Sequence, residues 1–182
     1  MNPLIRPESA PSKQILRKLV AASLQNFLGP CSLLDPELPF TGGPMLVLEA
    51  HGDLVLLSFD PEDGGHALLA GLASWNDLIA NRLWLTRQYP EVAPFLQDQV
   101  PRLAVLMPTL LPGADLLVRG SNEVMIFTFR VLAVNGETAL LIEAAADSSV
   151  NAPSRGQLVR QDKAPAAPGL TEEEEDFLDQ IR

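Results

Sequence analysis

Lysine is scarce in this chain: Lys13, Lys18 and Lys163 are its only three, so none falls between residues 19 and 162. Cysteine is scarcer still. Cys31 is alone, which excludes an internal disulfide and fits a reducing compartment. His51 and His66 are the only two histidines, and with one cysteine there is no His/Cys spacing of the zinc-binding kind, so no metal and no cofactor are expected. No apolar run approaches the roughly 18 residues of a membrane span. The opening Met1-Asn2-Pro3-Leu4-Ile5-Arg6 lacks the charged-then-apolar layout of a signal peptide. A soluble, cytoplasmic protein of bacterial type is the expectation. Gly42-Gly43 and Gly64-Gly65 have neither Walker nor Rossmann spacing, Ser58 stands outside any GxSxG elbow, and no internal repeat is visible.

What is present suffices for one domain with a real core: 182 residues, 47% of them apolar. The formal charge of −10 is uneven. Residues 1–30 carry four bases and one acid, residues 31–144 five arginines and fourteen acids, and residues 145–182 four bases and eight acids. So acidic a middle repels a phosphate backbone, whereas nucleic-acid binders carry a basic patch. The one basic cluster, Lys13, Arg17 and Lys18, reads as a solvated helix face.

Ser12 is placed to cap a first helix whose Ile15, Leu16, Leu19, Val20, Leu24, Phe27 and Leu28 recur at helical spacing until Gly29-Pro30 stops it. Residues 30–44 read as an irregular connection. Met45–Glu49 and Leu54–Phe59 form a hairpin about His51-Gly52-Asp53, the second strand apolar enough to be covered on both faces. After an acidic loop, a long helix is expected from His66 to Arg87, burying Leu68, Leu72, Trp75, Ile79 and Leu83. A strand at Leu103–Met107, a short helix near 113–118, and strands at Val124–Leu132 and Thr138–Glu143 about Asn135-Gly136 complete the pattern. Residues 1–11 are a lead, 12–144 the domain and 145–169 a linker. Residues 170–182 form an acidic helix with Phe177, Leu178 and Ile181 on one apolar face.

This order of elements resembles the restriction-endonuclease-like fold of the PD-(D/E)XK superfamily, small bacterial nuclease-like proteins of poorly known function in particular. The likeness rests on Pro44–Glu49, Gly52–Asp60, Ala73-Ser74-Trp75, Arg102–Pro108 and Phe129–Glu137, spanning about residues 12–144. It implies an α/β fold: a three-layer core with a mixed central sheet flanked by helices, here with a C-terminal tail helix. It also implies a site of an Asp on the first hairpin strand and Glu-x-Lys on the second, the carboxylates holding Mg²⁺. Pro44, Ser58 and Asp60 occupy those three positions, and Leu68 a common Gln position. Proline cannot ligate, serine replaces a carboxylate poorly, and aspartate inverts the lysine charge.

The expected function is therefore a catalytically inactive nuclease-like module for protein binding or assembly. The alternatives are a nucleic-acid-binding domain of the same fold, or a metal-dependent nuclease with a displaced site. A protein partner or self-association, including a homo-oligomer, is favoured over nucleic acid, and no membrane is expected. The candidate contact surfaces are the strand Val124–Leu132, if near a sheet edge, and Phe177, Leu178 and Ile181. Asp60, Glu62 and Asp63 crowd one loop where a hard cation could sit, although Asp63 also suits a helix cap.

Overall fold

Alternation within the strands divides the core into two. In the computed structural model, which describes residues 5–8, 11–93 and 99–145, the elements run β1 Ile5–Pro7, α1 Lys13–Leu28, β2 Cys31–Asp35, β3 Met45–Glu49, β4 Leu54–Phe59, α2 Gly64–Ala80, α3 Arg82–Gln88, a 3₁₀ turn Pro90–Val92, β5 Arg102–Met107, α4 Ala114–Gly120, β6 Val124–Val134 and β7 Glu137–Ala144. Val55, Leu57, Ala104, Leu106, Met125 and Phe127 face Leu16, Val20 and Leu24 of α1. Leu54, Leu56, Leu103, Val105 and Ile126 face the other way, toward Ala67 and Leu78 of α2, Leu85 of α3 and Ala114 of α4. Side chains that alternate across a strand thus serve two apolar layers. Each fully buried leucine or valine contributes on the order of 1.5–3 kcal/mol.

The result is a mixed, curled sheet of seven strands with helices on both faces. β2, β3 and β4 form an antiparallel meander. β4, β5 and β6 then run parallel, with α2 in the first crossover and α4 in the second. β6 is long enough to take two partners on one edge: β5 along its first half and β1 at its end, while β7 covers the other edge. Among the described residues no helix is long and apolar enough to cross a membrane.

Several expectations are corrected. The lead before residue 12 supplies a strand, β1, paired with Leu132–Val134. The connection 30–44 holds β2, and only its remainder is irregular. The long helix breaks at Asn81, whose backbone (φ −107°, ψ 31°) leaves the helical region, giving α2 and α3. The face that α2 buries is Gly64, Ala67, Ala70, Gly71, Ser74 and Leu78. Leu68, Leu72 and Trp75 flank it half-buried, and Leu83 is 77% exposed. Ser12 makes no side-chain capping bond. Strand Val124–Leu132 is no sheet edge, since β6 is flanked on both sides. The expected linker beyond residue 145, and Phe177, Leu178 and Ile181, lie outside the described residues.

Candidate functional site

Pro44 and Ser58 flank the paired Met45 and Leu57 at one end of the β3–β4 hairpin, and Asp60 follows just beyond β4. Pro44 is buried and its carbonyl accepts from the Leu38 amide at 2.8 Å. Ser58 is 4% exposed, and its hydroxyl donates to the Ala67 carbonyl of α2 at 2.8 Å. One turn on, Gly71 lies so close that a Cβ there would stand 2.9 Å from Ser58 Cβ. Helix α2 therefore lies directly on the strand position where the resemblance implies a metal ligand. The loop from Pro36 to Gly43 closes in beside it. Leu38 is fully buried, Ser74 donates to the Thr41 carbonyl at 2.7 Å, and Arg17 donates to the Gly43 carbonyl at 3.0 Å while pairing with Glu37 at 2.8 Å. Arg17 also lies over the Phe59 ring at 5.9 Å, so part of the basic cluster on α1 is turned inward.

The acidic loop is occupied by the backbone. Asp60 Oδ1 accepts from the amides of Glu62 and Asp63, both at 3.0 Å, and Oδ2 meets His66 Nδ1 at 2.9 Å. Asp63 caps α2, accepting from Gly65 and His66 at 2.8 and 3.1 Å. Burial pushes the Asp60 pKa up, but the two amides and His66 outweigh it, and the carboxyl is held below its ordinary range. Asp60, Glu62 and Asp63 do not converge as a metal-ligating group; among the described residues one other set does.

That set, Glu49, His51 and Asp53, stands at the far end of the same hairpin, with Arg102 of β5. His51 Nε2 lies 2.9 Å from Glu49 Oε2 and 3.2 Å from Asp53 Oδ2. Arg102 Nη1 is 3.1 Å from Glu49 Oε2, 3.4 Å from Oε1 and 3.8 Å from Asp53 Oδ2. Glu49 is 4% exposed and His51 63%, so the pair spans core and solvent. Burial raises the Glu49 pKa above the ordinary glutamate range, against the downward pull of Arg102 and His51. Burial and the Glu49 charge raise that of Cys31, which faces Glu49 across the β2–β3 register. By sequence alone His51-Gly52-Asp53 is a turn. Two signals could have exposed the cluster: Glu49, His51 and Asp53 recur at every second residue through a hairpin, and an arginine opens the parallel neighbour strand.

No protein-family model, no curated protein and no solved structure matches the chain.

Proposed function

We propose that this chain is a non-catalytic domain of the restriction-endonuclease-like type that works through protein contacts, as a binding or assembly module. The element order and the mixed sheet with helices on both faces are what that resemblance implies, and they are fold-level support only. One observation carries the loss of catalysis. The end of the hairpin that a nuclease keeps open for metal and phosphate is here packed shut: Ser58 is bonded to α2, Gly71 rests on it, and Leu38 is buried beside Pro44. Asp60, the remaining acid there, already accepts two backbone amides and contacts His66. The acidic balance of residues 31–144 disfavours a nucleic-acid partner.

The test combines cleavage and binding. Purified full-length chain is incubated with plasmid, single-stranded and structured substrates in Mg²⁺ or Mn²⁺, and its affinity for labelled DNA and RNA is read by anisotropy at near-physiological salt. The expected outcome is intact substrate and no binding, with sedimentation velocity reporting concentration-dependent self-association. Cleavage that disappears in Asp60→Ala or Glu62→Ala, or tight nucleic-acid binding by a monomer, overturns the proposal.

A further inference from the structure

The Glu49 end of the hairpin lies roughly 17 Å from the Pro44 end, five residues at about 3.4 Å each, and has a separate chemistry. Gly52, at φ 99°, turns the chain back so that the Glu49 amide bonds the Asp53 carbonyl at 2.9 Å and the Gly52 amide the Glu49 carbonyl at 2.9 Å. The turn thereby presents the side chains of Glu49, His51 and Asp53 to one another from a hydrogen-bonded backbone. We propose that Glu49, His51 and Asp53 bind one divalent transition-metal ion of the zinc class, with a fourth position left to water.

The spacing is the first support. Glu49 Oε2, His51 Nε2 and Asp53 Oδ2 all lie within 4.8 Å of one another, with His51 at 2.9 and 3.2 Å from the two oxygens. Bonds of about 2.0–2.2 Å in a tetrahedral shell place ligand atoms roughly 3.3–3.5 Å apart, so small side-chain adjustments complete it. The second support is convergence. A single ring nitrogen carries at most one proton, yet two carboxylate oxygens point at it. One of those carboxylates is buried, and Arg102 reaches both of them from the neighbouring strand. An ion at the point of convergence engages the ring nitrogen and both oxygens at once, which a shared proton cannot.

Arg102 is compatible with the ion. It reaches both Glu49 oxygens, so Oε1 remains its partner when Oε2 turns to metal, the outer-shell arrangement that fixes a ligating carboxylate. Its other nitrogen is 2.8 Å from Met125 Sδ, which holds the guanidinium from behind. An imidazole between two carboxylates selects zinc-like ions over Mg²⁺ or Ca²⁺, which prefer all-oxygen shells.

Isothermal titration of the tag-free, chelator-treated full chain with Zn²⁺ and, separately, Mg²⁺ tests this. The expected result is one Zn²⁺ per chain, no Mg²⁺, and a visible Co²⁺ spectrum of tetrahedral intensity. His51→Ala is the decisive variant, because the side chain is mostly exposed and its loss leaves the fold intact. It weakens Zn²⁺ by more than the 10–100-fold that removal of an outer-shell partner produces, as does Asp53→Asn, whereas Glu62→Gln in the other acidic loop leaves it unchanged. Wild type that binds no Zn²⁺, or His51→Ala that binds it undiminished, overturns the site and leaves an internal ion-pair cluster.

Discussion

Asp60 shows how one carboxylate can be consumed by structure. Its two oxygens serve two loop amides and His66, and its pKa is depressed despite burial. A carboxyl whose folded pKa lies below its unfolded value contributes stability above that unfolded value, ordinarily 3.8, and loses it as pH falls through the folded one. Asp60→Asn keeps an acceptor for both amides and removes the charge. The expectation is a loss of about 1 kcal/mol near pH 7 that vanishes as pH falls below about 4, read from denaturant unfolding at a series of pH values. A gap that persists unchanged at pH 2.5 would show that the charge is not what Asp60 supplies. The cap at Asp63 was legible in the sequence because an acid before a Gly-Gly helix start is a local signal. The Glu49 cluster was not, because only the closed hairpin brings Glu49, His51 and Asp53 together, and Arg102 joins them from β5, far along the chain.

Among elements, α2 was found but its buried face was misjudged. Periodicity counts large apolar residues, and Leu68, Leu72 and Trp75 do recur at helical spacing. Yet close contact with a sheet favours the smallest residues at the centre, so Ala67, Ala70, Gly71 and Ser74 take it and the large ones straddle the line of contact. Trp75 illustrates the straddling, its indole donating to the Pro101 carbonyl at 2.6 Å. Gly71→Ala tests the packing. In an exposed helix this change stabilises by roughly 1 kcal/mol. Here the new methyl meets Ser58 Cβ at 2.9 Å and Leu103 Cδ1 at 3.3 Å, neither of them at the end of a long flexible chain. A net destabilisation of about 1–3 kcal/mol is expected, measured by urea unfolding, and a stabilised variant would show that α2 does not press on β4. β2 escaped the sequence reading because it is short, half-exposed and bordered by Pro and Gly, which is how an edge strand reads. The Asn81 break gave no Pro or Gly as warning.

At the scale of the molecule, the layered α/β plan was legible from the run of buried strands and amphipathic helices. The pairing of β6 was not, because partner choice depends on contacts remote in sequence. β4 sits between β3 and β5, all six of its residues are buried, and helices cover both faces. Its amides should open only with global unfolding. β7, mostly exposed and paired only to β6, should exchange sooner. Native-state hydrogen exchange by mass spectrometry is expected to show β4 and β5 at least about tenfold slower than β7, a difference of ~1.4 kcal/mol. Equal rates would mean that the sheet opens as one piece.

The pairing of β1 with the end of β6 sets an order of events during synthesis. Ile5 lies opposite Val134, 129 residues later (134 minus 5), and Glu8 reinforces the contact by bonding the Val131 carbonyl and the Thr138 hydroxyl. β1 therefore has no docking groove until β6, more than a hundred residues later, has left the ribosome. Loop closure on that scale is slow in entropic terms. The strand pairs within the meander of β2, β3 and β4 are local in sequence, so the meander can gather first, leaving β1 to be stitched in near the end.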